Sequence, residues 1–134
     1  MSNDFFQVYD PKTNTWTESI KMTGYRLSFC TRVSKNEKEI YVVGGIDQNG
    51  QKKRLEKLDL ESMTWSQLPD MANNRSSLGC AIFGNSLIAA GGWGNLNDGP
   101  NPEQIAPIKT AEYFDFTLGI DNIQRIADVV QKVL

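Results

Sequence analysis

The chain contains no histidine in its 134 residues. The commonest general base and the commonest protein metal ligand are therefore both missing, which weighs heavily against metal-dependent catalysis. Cysteine occurs only twice, as Cys30 and Cys80, too far apart for a CxxC zinc site or redox dithiol. Each sits in an apolar-leaning segment, "LSFCTRV" and "LGCAIFG", and is expected to behave as a small buried hydrophobe with a free thiol. No apolar run approaches the length of a bilayer span, and the opening "MSNDFFQVYD" lacks the basic start and apolar core of a signal peptide. A cytoplasmic chain with reduced thiols and no membrane contact is the expectation. The sequon Asn74-Arg75-Ser76 should then be inert.

A marked excess of either charge sign is missing too. A net charge of -2 and a pI near 5.1 give no electrostatic footprint for nucleic acid. The short run Lys52, Lys53, Arg54 reads as a solvated loop. "GGWGNLNDG" resembles a phosphate loop only superficially, because no lysine follows in the GK[ST] position and no helix opens behind it. No nucleophile stands with a base beside it. What remains is a composition of 40% hydrophobic and 22% charged residues, which is that of one folded domain and of nothing disordered. A non-enzymatic chain without cofactor or metal is expected.

What is present is a repeat. Asp10 maps to Asp59, Trp16 to Trp65, Met22 to Met71 and Arg26 to Arg75, all at an offset of 49 residues. The apolar runs "IYVV" and "LIAA" each end in a diglycine, Gly44-Gly45 and Gly91-Gly92, at an offset of 47. The small difference falls in a turn, "SKNEKE" in one copy and the tighter "FGNS" in the other. Each unit reads as four short strands: around Leu27 to Val33, Ile40 to Val43, Leu55 to Leu60 and Thr64 to Leu68 in the first copy. The unbroken apolar runs fit strands covered on both faces, and the glycines allow a tight turn in a crowded place. A repeated four-stranded unit of this length is the signature of a β-propeller blade.

The unit resembles the kelch repeat, whose pattern is Arg, an apolar strand ending in diglycine, a Tyr-Asp pair and Trp. It stands here as Arg26, "IYVVGG" and "KLDLESMTW", then Arg75, "LIAAGG" and "EYFD", with "VYDPKTNTW" as an earlier half copy. The resemblance implies an all-β, partial kelch-type propeller of four-stranded antiparallel blades. Residues 1–26 would carry the outer strands of a first blade, 27–77 a complete blade and 78–118 an incomplete one with a long polar loop at 95–107. The position six after Asp115 is Asp121 and not Trp, so the last outer strand is expected to be missing. Residues 119–134 carry Ile123, Ile126, Val130 and Val133 at helical spacing behind Asp121 as N-cap, and predict an amphipathic C-terminal α-helix. Burial of its stripe on the open edge of the last blade or on another chain is expected.

The function implied by the resemblance is a protein–protein interaction module, a truncated relative of kelch-type ubiquitin-ligase substrate adaptors, holding a short protein segment at its loop face. The alternatives are a sugar mutarotase-like enzyme, or a homo-oligomer that completes the ring; copper oxidase chemistry lacks its histidines. Candidate contact residues lie in the loops after the diglycines: Asp47, Gln48 and Asn49 in the first, and Trp93, Asn95, Asn97 and Asp98 in the second. Trp93 stands where the other copy has Ile46; large aromatics dominate binding hot spots, although packing against the next blade is the favoured expectation for its ring. Arg26 and Arg75 suit carboxylate recognition, although their recurrence in register, like that of the tryptophans, favours a scaffold role. Asp10, Asp59 and Asp115 are expected to close turns of the repeat.

Overall fold

Apolar alternation and turn chemistry resolve the chain into sheets. A computed structural model describes residues 5–17, 20–95, 102–117 and 123–126, the last as backbone only. Four two-residue strands come first, β1 (Phe5–Phe6), β2 (Tyr9–Asp10), β3 (Thr15–Trp16) and β4 (Ile20–Lys21). They form two two-stranded antiparallel sheets, β1 with β4 and, nested between them in the chain, β2 with β3. The second sheet contains β5 (Cys30–Val33), β6 (Glu39–Val43), β9 (Leu55–Asp59) and β10 (Thr64–Leu68) in the order β10-β9-β6-β5. Between β6 and β9 stands a small hairpin, β7 (Ile46–Asp47) with β8 (Gly50–Gln51). The third sheet repeats the plan with β11 (Gly79–Phe83), β12 (Ser86–Ala90), β15 (Ala111–Asp115) and β16 (Ile123–Ile126). Its intervening hairpin pairs β13 (Trp93–Asn95) with β14 (Ile105–Pro107), the latter preceded by a 3-10 turn, Pro102–Gln104. No α-helix occurs among the described residues.

Internal repetition reaches the backbone. Asn14 and Met63 share left-handed φ values of 54° and 55°, and Ser28 and Ser77 share 54° and 51°. Gly44 and Gly91, at 63° and 64°, do the same. The recurring aspartates each accept a backbone N–H from two residues ahead: Lys12 to Asp10, Glu61 to Asp59 and Thr117 to Asp115, at 2.8, 2.9 and 2.8 Å. They close the turns that the sequence assigned to them.

The second and third sheets pack face to face. Tyr41, Val43, Leu55 and Met71 from one side meet Cys80, Leu87, Ala89 and Phe114 from the other, all buried. Innermost strands β5 and β11 lie side by side, and there Cys30 and Cys80 are joined in a disulfide, their Cα atoms 6.1 Å apart. The expectation of free thiols is corrected. Cys30 stands opposite Val43, one residue before the diglycine, whereas Cys80 stands opposite Ala89, two before it. That shift of one residue turns the two sulfurs toward each other across the seam, since successive strand residues face opposite sides.

A second correction concerns the C-terminal helix. Ile123–Ile126 is a strand, antiparallel to β15 with Phe114 opposite Ile123 and Ala111 opposite Ile126. The open backbone edge of β15 offers hydrogen-bond partners to this segment, and pairing prevails over the helical apolar spacing. This strand takes the fourth place in its sheet, which the absent tryptophan had left without a candidate. The remainder of the 119–134 helix expectation, including Asp121, Val130 and Val133, lies outside the described residues. Of the expected loop at 95–107, Asn95 and Ile105–Pro107 belong to the paired strands β13 and β14, and residues 96–101 lie outside the described residues.

Candidate functional site

The loops that follow the two diglycines stand beside each other, with β13 alongside β8. Their anchoring explains the glycines. Gly92 has φ 85°, and a Cβ on it would lie 2.5 Å from the Ser76 carbonyl oxygen. That closeness is needed because the next residue, Trp93, exchanges both backbone hydrogen bonds with Ser76 at 2.8 Å. In the other copy Ile46 exchanges the same pair with Leu27.

Buried Asn74 completes the clamp. Its Oδ1 accepts the Asn95 N–H at 2.6 Å, and its Nδ2 donates to the Asn95 carbonyl at 3.0 Å. Trp93 is therefore carried on a strand fixed at both ends, yet its own side chain is 50% exposed. An exposed aromatic on a pinned backbone loses little backbone freedom on binding. The same bonds bury the sequon asparagine.

In the first loop Asp47 is half-buried and bonds the Lys52 ammonium and the Asn49 N–H, each at 2.7 Å. Burial pushes its carboxyl up, but Lys52 and then the Asn49 N–H outweigh that and hold it below the usual carboxylate range. Gln48 and Asn49 at the hairpin tip are exposed. Asn95 is buried and supports the loop through its backbone. Asn97 and Asp98 lie outside the described residues. Lys52, Lys53 and Arg54 line a shallow polar cleft of about 330 Å³ with Asn49, Gln51 and Asn74.

Arg26 and Arg75 are brought to the same face but not to its surface. Arg75 is completely buried and uses all five of its N–H donors: on Glu112 through Nε and Nη2, on the Gly91 and Thr110 carbonyls through Nη1, and on the Thr110 hydroxyl through Nη2. Arg26 pairs with buried Glu56 and donates to the Gly44 carbonyl at 3.1 Å. Burial first, and Arg54 beside it, lower its pKa, against the pull of Glu56. Each arginine thus ties its blade's third strand to the first diglycine residue. The partners Glu56 and Glu112 were missed in the sequence, although both stand three residues before the repeat aspartate, in "EKLD" and "EYFD". Among the described residues no three His, Cys, Asp or Glu side chains converge as a metal site.

Four-stranded antiparallel sheets, repeated in register and packed face to face around adjacent innermost strands, define the class as β-propeller blades. The chain is a kelch-repeat chain: residues 34–72 match the Kelch motif. It is 25% identical over 109 residues to Kelch-like protein 40 of Xenopus laevis, covering 81% of this chain and 17% of that protein. It is 30% identical over 99 residues to Kelch-like protein terF of Aspergillus terreus, covering 67% and 22%. Kelch-like protein 41b of Danio rerio is 29% identical over 86 residues, covering 64% and 14%. The chain spans about a fifth or less of the length of these relatives.

Proposed function

We propose that this chain is a non-enzymatic protein–protein interaction module whose contact surface is the loop face formed by the β7–β8 and β13–β14 hairpins. Trp93 is the anchor, and Gln48 and Asn49 supply adjustable polar contacts; Asp47 and Asn95 hold the two loops, and Asn97 and Asp98 extend the second. The observation that carries this reading is the exposure of Trp93 on a backbone pinned by Ser76 and Asn74. Within it, the kinship to kelch-like proteins supports a role as a relative of ubiquitin-ligase substrate adaptors, with this surface receiving the substrate segment. The cytoplasmic expectation rested on the missing signal-peptide pattern and bilayer-length run, and it carried reduced thiols with it; the Cys30–Cys80 bridge corrects the thiols.

Selection of a random peptide library on the intact chain tests the reading. Enriched peptides should lose at least tenfold in affinity on Trp93→Ala, as a hot-spot residue requires, while the melting temperature stays unchanged. Enriched peptides that bind Trp93→Ala as well as the parent would refute the site, and an absence of enrichment would count against the function.

A further inference from the structure

Cys30 and Arg32, neither of which recurs in the internal repeat, stand together on β5. Cys30 lies opposite Val43, the residue before the first diglycine, and in the third sheet that register place belongs to Gly79. In the same alignment Arg32 corresponds to Ala81, and Cys80 to Thr31. The repeated scaffold therefore calls for none of the three. Cys30 and Arg32 are two residues apart in one strand and leave the same face of it. Arg32 Nη1 lies 3.8 Å from Cys30 Sγ, and the same nitrogen donates to the Thr31 carbonyl at 2.6 Å, which holds the guanidinium beside the sulfur. The two sulfurs differ in their surroundings. Cys30 is half-buried with this cation at its side, whereas Cys80 is buried, with Leu78 and Ile82 two residues to either side and Ala89 opposite. A cation at an accessible sulfur favours the thiolate, which is the nucleophile, while apolar burial keeps a cysteine inert. Across the same seam the Ser77 N–H donates to the Ser28 carbonyl at 2.8 Å, so backbone bonding independent of the disulfide also holds the two strands together.

We propose that Cys30 is a peroxide-reactive thiol and that Cys80 resolves its oxidised form, so that the bond between the second and third sheets is made by a hydroperoxide. With the pair reduced, the Cys30 thiolate attacks one oxygen of hydrogen peroxide. An S–O bond forms, the O–O bond breaks, hydroxide leaves, and Cys30 becomes a sulfenic acid. The Cys80 sulfur then attacks Cys30 Sγ. The S–S bond forms, the S–O bond breaks, and the departing hydroxide takes the Cys80 proton and leaves as water. The dithiol loses two electrons and the peroxide gains them, which closes the balance without another oxidant. Arg32 acts through Cys30, as the counter-charge of its thiolate. The product joins β5 and β11, the innermost strands of neighbouring blades. A disulfide formed once during folding would need neither the arginine nor the difference between the two sulfurs.

The test uses the full chain, reduced with dithiothreitol, freed of reductant and treated with hydrogen peroxide and the sulfenic-acid trap dimedone. Mass spectrometry should find the tag on Cys30 in Cys80→Ala, and that thiol should be lost roughly tenfold faster than the Cys80 thiol in Cys30→Ala. The parent chain should form the disulfide in place of the tag. In the Cys80→Ala chain, Arg32→Gln should slow loss of the Cys30 thiol roughly threefold and Arg32→Lys should restore the rate, with near-UV circular dichroism unchanged in both. A reduced chain whose two thiols react at equal rates, whether folded or not, overturns the inference. So does a Cys30 thiol that reacts no faster than N-acetylcysteine, which is the behaviour of an inert structural disulfide, or an Arg32→Gln rate equal to that of the arginine chain.

Discussion

Arg75 and Glu112 meet at two hydrogen bonds of 3.1 and 2.9 Å in full burial, and the same carboxylate accepts the backbone N–H groups of Ala72 and Asn73. The linker between two blades is thereby bonded to the third strand of the following blade. Removing one partner leaves an uncompensated buried charge, so Arg75→Ala should cost about 3–5 kcal/mol. Arg26→Ala should cost less, because Glu56 keeps Arg54 at 3.7 Å. Urea unfolding of both variants measures the difference.

The Cys30–Cys80 bond should be detectable directly. Alkylation of the native, unreduced chain should leave both thiols unmodified, and reduction should lower stability by about 2–4 kcal/mol. Cys80→Ser should reproduce the reduced chain's melting curve. Full alkylation without reductant would contradict the bond.

Gly44 and Gly91 have the same conformation in different surroundings. A Cβ on Gly44 would strike the Arg75 carbonyl oxygen of the next linker, whereas on Gly91 the nearest atom is the Ile108 oxygen at 3.8 Å. Gly91→Ala should cost only the left-handed penalty, about 1–2 kcal/mol. Gly44→Ala should cost distinctly more, and thermal denaturation of the pair separates strain from collision.

Much of this was legible in the sequence. The offset of 49 residues located the strands and the repeat aspartates, because turns and buried strands constrain residue type locally. The arginine partners were less visible, since a glutamate in a strand looks solvent-facing until its seam is known. The cysteines are 50 residues apart, one out of register with the repeat, and that single step was the available sign that they face each other. The stripe Ile123, Ile126, Val130 and Val133 has helical spacing, and the open edge of β15 that pairs with Ile123–Ile126 is not visible from spacing alone.

Acid should loosen the outer part of the same seam. The Lys57 ammonium first, and the Tyr41 hydroxyl second, hold the Glu39 carboxyl below the usual carboxylate range. A lowered folded value means the contribution is complete above the unfolded value, about 4.3, and is lost as pH falls through the folded one. The pair is partly solvated, so the loss should be under about 1 kcal/mol. Lys57→Met should raise the Glu39 titration midpoint in carbon-detected NMR.

The most direct measurement of the central claim is amide hydrogen exchange on the chain bound to a selected peptide. Binding through the loop face predicts new protection over residues 46–51 and 93–107, abolished by Trp93→Ala. Protection confined to the opposite turns at 34–38 and 84–85, with none in those two hairpins, would contradict it.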